Sequence, residues 1–277
     1  MPLFLLLTSP PVYAVEIASI SHQPNYQLLK CFEYQKNYWL VGQAFHTSSV
    51  QFKDECLRLC LSSVLRGSKC LSAMHIPGDD QCVISDQNQL TRPDLFVEND
   101  VDHSFTVNYF RNTCVDPPYT GGGHVQAKLK GFKGGQGLLE LVQARGRNPH
   151  VMLIVTGLKE DTLYQVIYAP TVELASCFRA EFQKEHLEGR TLLTVRTDRT
   201  GMAIQPWHEI DFHILDDSIL GQTVLFVENN TTSVLDCGKL EIKGNLTDWE
   251  QAKNRSSNSL FSTFILSLII FSALVFN

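Results

Sequence analysis

From residue 125 onward the apolar positions come in short runs with a period near two: VQAKL, GLLELVQ, HVMLIVTGL, LYQVIYA, RTLLTVRT, MAIQPWHEIDFHI and QTVLFVE. Turn residues separate them, most plainly TDRTG from Thr197 to Gly201, and no run keeps a helical period. Strands spaced in this way predict an antiparallel sandwich or barrel over 125–243. Upstream the pattern changes. Phe52, Cys56, Leu57, Cys60, Leu61 and Val64 fall on one face of a helix, so both sulfurs point inward. Cys70 opens an extended segment with Leu71 and Met74, and Cys82 opens another, CVIS, after a turn supplied by Pro77, Gly78 and two aspartates. A helix stapled to two strands is the expected result. Tyr34, Tyr38 and Trp39, with Leu40 and Val41, read as a half-buried strand whose aromatics serve as core or sheet surface; an exposed ligand platform is the functional alternative.

The two ends are apolar in a different way. Residues 1–14, MPLFLLLTSPPVYA, combine an apolar core, helix-breaking Pro10 and Pro11, and small residues at Val12 and Ala14, as a secretion signal does, with no Lys or Arg ahead of the core. At the other end the polar stretch KGNLTDWEQAKNRSSNS precedes LFSTFILSLIIFSALVFN. A spanning helix takes about 20 apolar residues with basic residues on its cytoplasmic side, and this tail ends without either. Ser256, Ser257 and Asn258 instead fit the attachment site of a glycosylphosphatidylinositol (GPI) anchor whose tail is removed. A single-pass type I span is the alternative.

Composition narrows the setting. The 277 residues, 44% of them hydrophobic, leave room for two modest domains, and a net charge of −6 gives no reason to expect a nucleic-acid partner. Eight cysteines and the sequons at Asn229 or Asn230, Asn245 and Asn254 suit an oxidising, secretory compartment. Eight cysteines allow 105 pairings, so spacing alone does not choose among them. Cys177 and Cys237 are the two that fall inside the strand-rich half, and a disulfide between them is the simple inference. No CxxC pair argues for zinc, and the lone His46 and His75 read as exposed or hydrogen-bonded residues. Pro117, Pro118 and Gly121 to Gly123 make a linker at 115–124; no GK[ST] follows the glycines, so they are not a phosphate loop.

The spacing C-x3-C-x9-C-L-S-x9-C-V-I-S-D-Q-N, with Cys31 before it and YFRNTC ending at Cys114 after it, resembles the PAN/apple domain. The resemblance covers 31–114 within a module assigned to 15–114. It implies an α+β fold, a helix packed on an antiparallel sheet, with disulfides Cys31–Cys114, Cys56–Cys82 and Cys60–Cys70. It further implies an extracellular protein or glycan ligand.

A second resemblance follows from LKGFKGGQGLLELVQ, VTGL, ASC at Cys177, TDRTGMA, ILGQTVLFVE and LDCGKL in that order. These are similar to the landmarks of the copper/zinc superoxide dismutases, and imply an all-β Greek-key barrel. Where that family places copper and bridging histidines this chain has Val166, Tyr168, Gln183 and Val227, and Val234 stands for the guiding arginine. Valine has no donor atom, so no copper, zinc or other cofactor and no dismutation are expected. His208, Glu209, Asp211 and His213 in WHEIDFH are the remaining metal candidates, a set that a solvated polar strand face explains equally well. No G-x-S-x-G elbow or HExxH is present, and with all cysteines paired no reactive thiol remains.

The sequence therefore reads as signal 1–14, apple module 15–114, linker 115–124, barrel 125–243, glycosylated stalk 244–259 and anchor tail 260–277. The expected function is recognition or adhesion at the outer face of the plasma membrane, held there by the lipid anchor, with no enzymatic activity. The alternatives are an extracellular superoxide- or metal-handling protein with a non-standard site, or a structural spacer.

Overall fold

In a computed structural model of the chain, the structure describes residues 26–99, 106–129, 134–170, 172–173, 189–215, 219–229, 231 and 234–253. The N-terminal module contains α1 (Tyr26–Lys30), β1 (Phe32–Lys36), β2 (Tyr38–Leu40), β3 (His46–Ser49), α2 (Lys53–Leu65), β4 (Ser72–Ile76), β5 (Gln81–Ser85), β6 (Phe96–Glu98) and β7 (Asn108–Asn112). The strands form an antiparallel sheet of order β1-β7-β4-β5-β3 and a ribbon of β2 with β6. Residues alternate across the sheet as the pleat requires. Ala73, Cys82, Ile84 and Phe110 join the core that holds α2, whereas Met74, Ile76, Val83 and Tyr109 pack with Leu40, Tyr38, Trp39 and Phe96 of the ribbon on the opposite face. Tyr38 stacks on Phe96 at 4.8 Å, and Tyr38 and Trp39 are half-buried against this cluster, whereas Tyr34 is 53% exposed on the sheet surface. The turn between β4 and β5 is a single 3-10 turn, Pro77–Asp79, closed by Asp80 in the left-handed region.

Cys56 and Cys60 do point inward from α2. The disulfides are Cys31–Cys114, Cys56–Cys82 and Cys60–Cys70, with Cα separations of 4.9, 5.4 and 5.4 Å. Phe52 departs from the helical stripe expected of it: it is the residue ahead of the first turn, its backbone extended, and its ring is exposed. Asp54 and Glu55 in the first turn complement the helix dipole there.

The rest is mostly β: β8 (Gly123–Leu129), β9 (Gln136–Gln143), β10 (His150–Thr156), β11 (Leu163–Ala169), β12 (Arg190–Arg196), β13 (Ala203–Glu209), β14 (Thr223–Glu228), β15 (Val234–Lys239) and β16 (Glu241–Ile242). They make two antiparallel sheets, β13-β10-β9-β8-β16 and β12-β11-β14-β15. Val125, Leu139, Leu141 and Leu153 of the first share one core with Tyr164, Val166, Val195 and Phe226 of the second. Strand β13 stops at Glu209 instead of running to Ile214, and Ile210 donates its N–H to Pro149 O.

The span expected to be a stalk begins differently. Residues 246–253 are helical, here α3. Asn245 Oδ1 accepts the Thr247 N–H at 3.0 Å as an N-cap, and Trp249, 1% exposed, sits in the core between the sheets. A Cβ on Gly123 would come within 2.3 Å of Leu215 Cδ2 and 3.1 Å of that indole, so a side chain where β8 starts would push on both. The large ring area of the indole gains more in the core than in water and draws the polar segment back onto the fold, although its Nε1–H is buried with no hydrogen-bond partner among the described residues.

Candidate functional site

The two halves are not joined by a linker alone. Leu138, Met152, Ile154, Met202 and Ile204, on the outer face of the five-stranded sheet of the C-terminal half, share a core cluster with Leu28, Leu57 and Leu61 of the N-terminal module. Helix α2 is thus sandwiched between two sheets. Beside this apolar contact the Arg58 guanidinium pairs with the Asp198 carboxylate and lies 3.3 Å from Thr200 Oγ1. The β12–β13 turn is pre-formed for it: Asp198 Oδ1 accepts from Thr200 N at 2.8 Å and from Met202 N at 3.2 Å. Gly201 is required there, because φ is +72° and a Cβ would lie 2.1 Å from Leu158 O. Burial pushes the Asp198 carboxyl up, but hydrogen bonds from Thr200 and the Arg58 charge outweigh it and hold the group below the usual aspartate range.

Where α2 ends, the second sheet is left uncovered and a cleft of about 1060 Å³ opens. One wall is the end of α2 and the following loop, Leu65 to Lys69; the floor is β8 and β9. Leu65, Leu71, Leu129, Leu138 and Met152 make it apolar, while Arg66, Lys69, Lys128 and Lys243 give its lining four cations against one carboxylate, Glu140. That carboxylate side chain is 4% exposed, 3.0 Å from His124 Nε2, and accepts a hydrogen bond from Lys243 Nζ. Desolvation raises the Glu140 pKa, and the His124 hydrogen bond and Lys243 charge more than offset this, so the group sits below the ordinary glutamate range.

A second feature is the set of exposed apolar side chains on the N-terminal module. Among the described residues the exposed large hydrophobics are Tyr34, Val41, Phe45, Phe52, Leu90, Val97 and Leu246, and all but Leu246 belong to that module. Val41 and Val97 flank the β2–β6 ribbon, with Val97 opposite Trp39 in register.

Comparison with known proteins gives three findings. The PAN domain model matches residues 31–114. An uncharacterized protein of Caenorhabditis elegans is 48% identical over 272 residues, spanning 96% of this chain and 95% of the relative. The chain belongs to the family of this nematode protein. The crystal structure of the clock protein EA4 aligns with 45% of this chain and 98% of its own, at 18% identity and a TM-score of 0.36.

Among the described residues, the PAN module packs its helical side against the rest of the chain, and Val41 and Val97 beside its ribbon are exposed. Neither the residues expected at the lost ligand positions nor the remaining metal candidates converge among the described residues. Val166 faces the core between the sheets and Tyr168 packs against it, while Val227 belongs to a cluster on the opposite face with Ile167, Ala169 and Leu225; strand alternation separates them. Gln183 lies outside the described residues. Glu209 accepts a hydrogen bond from Asn148 Nδ2 at 2.7 Å, Asp211 pairs with Arg190, and His213 Nδ1 lies 3.2 Å from Gln143 Nε2, while His208 is exposed. Among the described residues no three His, Cys, Asp or Glu side chains gather as a metal site. His75, expected exposed or hydrogen-bonded, is buried with neither ring nitrogen partnered.

Asn245 is exposed and Asn229 half-buried. Asn230, Asn254, the anchor candidates Ser256, Ser257 and Asn258, the signal 1–14 and the tail 260–277 lie outside the described residues. Among those described, no helix is long and apolar enough to cross a membrane. Cys237 is disulfide-bonded, and Cys177, expected as its partner, lies outside the described residues. Sequence reasoning missed the Arg58–Asp198 latch and the Glu140 cluster. A signal for the latter was present, a glutamate in the middle of the apolar run GLLELVQ.

Proposed function

We propose that this is a cell-surface recognition or adhesion protein, GPI-anchored and glycosylated, that binds an extracellular protein or carbohydrate through its PAN module. The carrying observation is the concentration of exposed large hydrophobics on that module, since groups of such residues mark interaction surfaces whereas single ones do not. The C-terminal half is read as a Greek-key barrel of the dismutase type without its metals, supporting the PAN module and catalysing nothing. An exchangeable spacer fits less well, because the shared core ties the two halves together.

The test is adhesion of cells displaying the full chain to arrays of matrix proteins and glycans, comparing wild type with Val97→Lys and Phe45→Lys. Both side chains are exposed, so folding is retained while binding falls by about tenfold or more, as for a contact near an interface centre. Unchanged adhesion in both variants rules out the surface around Val97 and Phe45 as the binding surface. Copper-loaded protein is expected to show no dismutation above that of free copper.

A further inference from the structure

We infer that the cleft between the PAN module and the β-sheet half is a binding site for a small amphipathic acid, an apolar body ending in a carboxylate, sulfate or phosphate. Its volume, about 1060 Å³, suits a small ligand lying in a half-open cleft. The walls decide the chemistry. Leu65, Leu71, Leu138 and Met152 offer an apolar body a water-free contact. Lys243 is already committed to the buried Glu140. That leaves Arg66, Lys69 and Lys128 as cations without a charged partner, for neither the guanidinium nor the two ammonium groups make an ion pair or hydrogen bond with another described residue. Three unpaired cations edging an apolar cleft, in a chain of net charge −6, favour one anionic head on an apolar ligand. A long polyanion would need an extended basic track, and a neutral lipid would leave the cations idle.

Both halves of the chain contribute, so the site exists only in the assembled molecule. It stands apart from the ribbon side of the PAN module, and Val97→Lys is expected to leave it untouched.

The test is photolabelling of cells that display the full chain, with a diazirine-bearing dodecanoate as probe. Label should map to peptides containing residues 64–71 and 136–140, be displaced by dodecanoate but not by dodecanol, and fall about tenfold in the Lys69→Glu, Lys128→Glu double variant. The Lys69→Arg, Lys128→Arg variant should keep it. Equal displacement by dodecanol, or label that survives double charge reversal, overturns the acid-binding site. Displacement by a heparin fragment at lower concentration than dodecanoate overturns it in favour of a polyanion. The competition arm uses unaltered protein, so it decides even where a variant is poorly displayed.

Discussion

Glu140 interrupts an otherwise apolar strand, and with its side chain 4% exposed a lone carboxylate there would be severely destabilising. Its two partners remove that cost. Lys243→Met or His124→Phe leaves the carboxylate short of one, and each is expected to lower stability by about 1–3 kcal/mol in chemical denaturation. Acid should act on the same cluster. The native pKa of Glu140 is held below its unfolded value, so its contribution is complete above the unfolded carboxylate range and is lost as pH falls through the lowered native value. Asp198 adds in the same direction. Glu140→Gln should therefore flatten the acid limb of the stability curve, and an unchanged limb would assign acid sensitivity elsewhere. The glutamate was visible in the sequence, but its partners were not. His124 lies 16 residues earlier and Lys243 lies 103 later, and only β8–β9 pairing and the return of the chain after β16 bring them together.

At the scale of elements, most of the strands were legible because alternation survives wherever one sheet face is buried. Strand β15 escaped notice, since VLDCGK places Asp236 in a buried position and breaks the pattern. Helix α2 was legible from its cysteine and leucine spacing. Helix α3 was not: LTDWEQAK has only Trp249 and Ala252 buried, too thin a stripe to distinguish from a polar stalk. Its start was nevertheless written in the Asn245 cap and the acidic Asp248 three residues on. Cap and sequon share the asparagine, and two substitutions separate them. Thr247→Ala destroys the sequon while leaving Asn245 and the backbone N–H that its Oδ1 accepts. Asn245→Ala removes both. Asn245→Ala is expected to melt below Thr247→Ala by an amount worth about 1 kcal/mol; equal melting would mean the cap contributes nothing.

At the scale of the whole molecule, α2 decides how many folding units there are. An ordinary surface helix buries one face, but this one lies between its own sheet and the outer face of another, with Leu57 and Leu61 fully buried in a cluster that includes Met152, Ile154 and Ile204. No periodicity in either half announces this, because each apolar face looks like core for its own half, and an Arg58–Asp198 pair separated by 140 residues leaves no local trace. Separating the halves would expose both faces at once. Removing apolar surface from water is worth about 25 cal/mol per Å², so the docked face adds cooperativity as well as order. The full, disulfide-intact chain is expected to unfold in one calorimetric transition. Ile154→Asp, which puts a charge into the shared core, should cost about 4 kcal/mol or split that transition in two. Arg58→Ala, at the edge of the contact, should cost about 1–2 kcal/mol and preserve a single transition. A wild-type melt with two independent transitions, unmoved by Ile154→Asp in the first, would show that the halves fold separately. The cleft would then be a gap between neighbours rather than a site held open by one core.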